Sequence, residues 1–177
     1  MKYALFAFFG LFTLIMTGCG DSVAPAASPV APPANNNSFL VTGGNYENSL
    51  FNSTTITHDS AYYYTSQGVT KAVIGWQSGI YSLTMDINFL GKKTGNVALG
   101  SSALVPDTSC INITYTAPGG TYNDQFLSLS GMVTISQYDA TIGGKIIGTF
   151  SGSFADANNQ TYTINNGKFS AIRGSDK

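Results

Sequence analysis

The feature that most narrows the fold of this chain is an alternation of period two. In YSLTMDINF, Tyr81, Leu83, Met85, Ile87 and Phe89 are apolar, while Ser82, Thr84, Asp86 and Asn88 between them are polar. Successive side chains of a strand point to opposite faces, so this pattern encodes a half-buried β-strand. INITYTA repeats the scheme with Ile111, Ile113, Tyr115 and Ala117 inward. LSGMVTI sets Leu129, Val133 and Ile135 on one face, and GKIIGTFSGSF offers Ile146, Phe150 and Phe154 to a core. Gly148 and Gly152, interleaved with them, mark close packing or a bend. No stretch of helical length carries a 3.6-residue period. About ten short strands separated by Gly, Asn, Asp and Ser predict an all-β fold, an antiparallel β-sandwich or a flattened β-barrel.

One turn is encoded more specifically. In TYTINNGKFSAIR, Asn166-Gly167 lies between two alternating runs. That dipeptide suits a type I′ hairpin, whose central residues both take positive φ. A two-residue loop there sets Ile164 opposite Phe169 and Tyr162 opposite Ala171, with all four side chains on one face.

The start of the chain is of another kind. Lys2 precedes YALFAFFGLFTLI, a positive start and then an uncharged apolar run of the type that enters the secretion machinery. A membrane-spanning helix needs about 20 apolar residues, and this run gives way at Thr17 and Gly18, so it reads as an export signal and not as a span. The residues IMTGC, ending at Cys19, resemble the lipobox of bacterial lipoproteins. The resemblance implies that the chain is cut before Cys19, that its thiol carries a diacylglyceryl group, and that the new amino terminus takes an acyl chain such as palmitate. Because Gly20 and not Asp follows Cys19, the resemblance further implies delivery to the outer membrane. Several acyl chains hold a protein on a membrane where one is marginal, at about 0.8 kcal/mol per buried CH₂. An ordinary secretory signal is the competing reading, but its small-x-small cleavage site is poorly formed.

Between anchor and domain, SVAPAASPVAPPANNNS (Ser22 to Ser38) holds four of the six prolines, Pro25, Pro29, Pro32 and Pro33. Such a segment is a semi-extended linker, up to about 60 Å long in polyproline II form, that cannot build a core of its own. The expected organisation is a signal at 1–18, an anchor and linker at 19–38, and one β-domain at 39–177. Within that domain, Leu129 to Arg173 resembles a C-terminal segment recurring in bacterial lipoproteins of unassigned activity: a strand ending in Tyr138, a Gly-Gly turn, GTFSGSF and NGKFSAIR. This second resemblance supports the fold and implies no activity.

The chemistry-bearing residues are few. Cleavage before Cys19 removes Lys2 and leaves seven basic against nine acidic side chains, a net charge of −2. With those charges scattered singly there is no basic stripe for nucleic acid. His58 is the only histidine and Glu47 the only glutamate. In THDS, neighbouring residues point to opposite faces of a strand, which does not assemble a catalytic triad. Cys110 and His58 are too few for zinc, and no cofactor is expected. Calcium gathers about 6–8 oxygens, whereas DANNQ supplies the single carboxylate of Asp156, so a plain loop is the stronger reading there. Tyr62 and Tyr64 in AYYYT share a face, with Tyr63 on the other, and together with Trp76 they are candidates for stacking on sugar or contacting a partner. Filling a core is the competing role for these aromatics. With Cys19 acylated, Cys110 has no intrachain partner and is expected to be a small buried residue.

These residues lead to the expectation of a membrane-tethered, non-enzymatic β-protein that binds a glycan or an envelope component. A hydrolase acting on polysaccharide or peptidoglycan, and an accessory subunit of an outer-membrane assembly, are the alternatives.

Overall fold

The computed structural model describes residues 37–104, 107–120 and 123–177. The signal, Cys19 and nearly all of the linker lie outside the described residues. Ten strands follow in order: β1 (Ser38–Gly43), β2 (Tyr46–Asn52), β3 (Thr55–Tyr64), β4 (Val69–Ser78), β5 (Tyr81–Leu90), β6 (Gly95–Leu99), β7 (Thr108–Thr116), β8 (Asn123–Tyr138), β9 (Lys145–Ala155) and β10 (Thr161–Arg173). Ser38 is already in β1 and Asn37 is buried, so the domain begins slightly before the apolar alternation does.

The strands form one mixed sheet in the order β2-β1-β10-β3-β4-β5-β7-β6-β8-β9. Additional β9–β10 and β7–β8 pairings return the ladder on itself, giving an irregular, sandwich-like enclosure and not a regular barrel. Most neighbours are antiparallel, as the sequence predicts, but two short contacts are parallel. Ser60 and Ala61 of β3 face Ile172 and Arg173 of β10, and Ala98 and Leu99 of β6 face Thr108 and Ser109 of β7. The first arises because β10 is long: its first part pairs with β1, which leaves only its last residues for β3.

The alternating residues of β5 and β7 meet the core as predicted. Leu83, Met85, Ile87 and Phe89 are buried opposite Tyr115, Ile113, Ile111 and Ser109. Ile146, Phe150 and Phe154 of β9 join them in a single core cluster. Cys110 points the other way and is half-buried, so the expected fully buried role does not hold. Its neighbours Ser109 and Ile111 take the inward positions, and alternation turns Cys110 outward.

Two bulges change the predicted phase. In β8 the register to β9 shifts between Ser128 and Ser130. Phe126 and Ser128 are buried before the shift and Val133 and Ile135 after it, while Leu129, at the extra position, is exposed. Leu129 therefore does not share the core face with Val133 and Ile135. In β10 no hairpin forms at Asn166-Gly167: the strand runs on from Thr161 to Arg173. Asn166 takes its positive φ of 53° inside a bulge, where the register to β9 shifts between Ile164 and Gly167. The buried set passes from Tyr162 and Ile164 to Phe169 and Ala171, so the four inward side chains are the predicted ones although the turn is not.

Across β9 and β10 two phenylalanines lie over two glycines. Phe169 is paired with Gly148 and Phe150 with Gly167. A Cβ on Gly148 would stand 2.5 Å from Phe169 Cζ and 2.5 Å from the carbonyl oxygen of Thr134, and one on Gly167 would stand 2.6 Å from the Phe150 ring. The aromatic ring occupies the space of the missing side chain, covering the glycine's backbone and pinning the register.

Candidate functional site

Beside β2 the sheet leaves a gap. In the ladder β2 pairs with β1 alone, and on its other side it faces the β4–β5 turn across a gap. There Asn52 N donates to Ser78 Oγ at 3.3 Å. The gap is a pocket of about 400 Å³. Tyr46, Ser49, Leu50 and Phe51 of β2 form one wall, Ser78, Gly79 and Tyr81 of the β4–β5 hairpin another, and Tyr115 of β7 the floor.

Half of the lining residues are aromatic, and their rings brace one another. The Tyr81 and Tyr115 rings meet edge to face at 5.7 Å, and Phe51 lies 5.9 Å from both Tyr46 and Tyr115. The hydroxyls of Tyr46 and Tyr115 are hydrogen-bonded to each other. Behind them Phe126 stacks on Tyr115 at 5.9 Å and meets Tyr162 edge to face at 5.1 Å. Tyr162 in turn donates its hydroxyl proton to Asp156 Oδ2 at 3.0 Å. A side chain so braced gives a preformed surface, which lowers the ordering cost of binding.

None of the lining residues carries a formal charge. What the pocket offers a ligand is ring surface together with the hydroxyls of Ser49, Ser78 and the tyrosines. Pockets of about 300–1,000 Å³ with mainly apolar walls and a few polar groups are the usual form of small-ligand sites.

The residues singled out from the sequence lie elsewhere. Trp76 is fully buried, 6.0 Å from Phe39, so it is a core residue and not a surface platform. It sits on the inward phase of β4, opposite Leu83. Tyr62 and Tyr64 share a face of β3 as predicted, but that face is occupied by the chain itself. Lys177 Nζ stands 3.7 Å from the Tyr62 ring centroid and 5.9 Å from that of Tyr64. The segment carrying Lys177 is fixed alongside β3: Gly174 N donates to Ala61 O at 2.7 Å and Lys177 N to Tyr63 O at 2.9 Å. Tyr63, on the other face, lies under Lys92 at 4.2 Å. The structure thus brings Tyr62 and Tyr64 together and separates them from Trp76.

Asp156 serves its own turn. Its Oδ1 accepts from Asn158 N and Gln160 N, each at 2.8 Å. Burial raises its pKa, but the hydrogen bonds from Gln160, Tyr162 and Asn158 outweigh that effect and hold the carboxyl below its ordinary range. Those bonds fill its acceptor positions, as in a plain loop. Among the described residues no three His, Cys, Asp or Glu side chains converge as metal ligands would.

His58 has one partner, at a spacing that adjacent-residue reasoning passes over. Ser60 lies two positions along β3, hence on the same face, and its Oγ is 2.8 Å from His58 Nε2. Both residues sit on the open surface of the sheet, away from the pocket.

The pocket residues were legible only in part. Tyr81 heads the cleanest alternating run, yet it stands at the strand's end, where the inward position opens to solvent. Ile80, a large aliphatic residue in a tight turn, and the adjacent pair Leu50-Phe51, which breaks alternation, are the signals that point to this end of the domain.

No family model, curated protein or solved structure matches the chain.

Proposed function

We propose that this chain is a lipid-anchored protein of the bacterial cell envelope, held in the outer membrane through Cys19, whose β-domain is a binding module for a glycan-type ligand. The observation that carries the binding reading is the uncharged pocket beside β2, where the partly exposed Tyr81 ring stands next to the hydroxyls of Ser49 and Ser78. A sugar presents an apolar ring face and a rim of hydroxyls, and aromatic rings with hydroxyl partners complement both. The anchor reading rests on IMTGC and on the linker that follows it.

Binding of a panel of bacterial-envelope oligosaccharides to the full chain in detergent, measured by calorimetry, tests the module. Tyr81→Ala should weaken the best ligand by about tenfold, equivalent to about 1.4 kcal/mol of lost contact. An unchanged affinity removes the pocket from the proposal. Intact-mass measurement of the membrane-extracted protein should show an acylated amino-terminal cysteine.

The Ser60–His58 pair supports a second reading, a hydrolase in which His58 activates the Ser60 hydroxyl. Turnover of ester or glycan substrates abolished by both His58→Ala and Ser60→Ala would replace the binding module with an enzyme.

A further inference from the structure

The two ends of the domain differ in character. Around the pocket mouth Leu50 is 61% exposed, and Ile80, between the lining residues Gly79 and Tyr81, is 68% exposed. The other ends of β4 and β5 lie about 30 Å away along ten-residue strands. There Lys92, Arg173, Asp176 and Lys177 gather: Asp176 bonds Lys92 at 2.6 Å and also pairs with Arg173.

The chain from Cys19 joins the domain at the apolar end. Asn37 O accepts from Ser53 N at 2.9 Å, and Ser38 is paired with Asn52. Asn52 in turn binds Ser78, two residues before Ile80. The first described residue is therefore fixed to the rim of the pocket itself. Eighteen steps separate Asn37 from Cys19. A segment of that length reaches at most about 60 Å even when fully extended, so the end of the domain it joins is the end with the shortest tether to the anchoring surface. The other exposed apolar residues Leu127, Leu129 and Met132 lie on β8, which pairs with neither β1 nor β2.

We propose that Leu50, Ile80 and Tyr81 form a lipid-contact rim, which enters the interface of the membrane in which Cys19 is anchored and turns the pocket mouth toward the headgroups. This inference rests on the reading of Cys19 as the lipidation site. Aliphatic tips flanked by tyrosine are the side chains that partition into the interface, where apolar body and polar hydroxyl are both accommodated. The uncharged lining suits a neutral interface better than it suits capture of an anionic headgroup by ion pairing. A pocket so turned meets sugars carried on lipids before it meets soluble ones.

The test uses the full acylated chain with Cys110→Ser, carrying a single new thiol at Ile80→Cys or at Ile142→Cys, each labelled with a polarity-sensitive fluorophore. Ile142 is exposed on the β8–β9 loop at the charged end. The protein is reconstituted by its own anchor into phosphatidylcholine vesicles containing a headgroup-region spin-label quencher. Penetration of about 5–10 Å should make the Ile80 probe at least about twofold more strongly quenched than the Ile142 probe. Leu50→Cys provides an independent probe of the same rim, and the buried Trp76 reports that each variant is folded. Equal quenching in protein shown by mass to be acylated overturns the lipid rim and leaves the anchor standing. A mass without acyl chains at Cys19 overturns the anchor itself. Shielding of the Ile80 probe in a detergent-extracted complex, but not in vesicles, assigns the rim to a protein partner and overturns the inference.

Discussion

The aromatic cover over Gly148 makes a quantitative prediction. A β-carbon there would lie 2.5 Å from both the Thr134 carbonyl oxygen on β8 and Phe169 Cζ on β10, so neither side gives way freely. Gly→Ala in a strand ordinarily gains about 0.5–1 kcal/mol by restricting the unfolded chain. Here overpacking should cost about 1–3 kcal/mol, and with contacts this close from two sides the upper half of that range applies. Gly148→Ala should thus destabilise by about 1–2 kcal/mol net, a sizeable part of the roughly 5–15 kcal/mol that a domain has in total. Phe169→Ala alone should cost about 3–5 kcal/mol through the lost burial and the cavity. In the double variant the ring half of the clash is gone and the new methyl fills part of the cavity, so the combined cost should fall about 1 kcal/mol or more below the sum. Urea unfolding followed by the fluorescence of the single, buried tryptophan, Trp76, measures all four corners of this cycle. Additivity within about 0.5 kcal/mol would refute the reading that ring and glycine form one unit.

Acid sensitivity should trace in part to Asp156 and Asp139, both held below the ordinary carboxylate value of 3.8. For Asp139 the cause is hydrogen bonding from Thr141. A depressed folded pKa means that the unfolded chain takes up the proton first. The stabilisation is therefore complete above the ordinary value and is lost as pH falls through the folded one. Asp156→Asn should flatten the acid limb of a melting-temperature profile in that window, and an unaltered limb would contradict it. At the β10 bulge, Asn166→Val should cost about 1–2 kcal/mol for a branched side chain in the left-handed region, whereas Asn166→Gly should be nearly neutral. Deleting Asn166 should abolish folding, because Phe169 and Ala171 would turn outward; a cooperative melt from the deletion variant would count against the bulge.

Much of the fold is written in period two, and the exceptions share a cause. Alternation identified the inward residues of β5, β7 and β9 because those runs carry one uninterrupted phase through the core. It failed at Leu129 and at Asn166-Gly167, where an extra residue resets the phase within a single long strand. A bulge and a hairpin draw on the same local preference for positive φ, and only the neighbouring strand decides between them. The site was less legible for a related reason. Trp76, Tyr62 and Tyr64 are conspicuous as residues, but one lies inward and the others lie under Lys177, which is far away in sequence. Tyr46, Tyr81 and Tyr115 converge only because β2 is left unpaired opposite the β4–β5 turn, a property of the topology and not of any segment.

The position of β10 also governs the order in which this domain can assemble. It is the last of the ten strands and the partner of β1, β3 and β9. Until it arrives, the earlier strands cannot complete their ladders, and β1 and β9 each present a bare edge of the kind to which strands of other molecules attach. Closure of such distant contacts places folding in the slow, millisecond-to-second class. A chain made amino end first therefore keeps apolar faces and strand edges open until Thr161–Arg173 is available to close them.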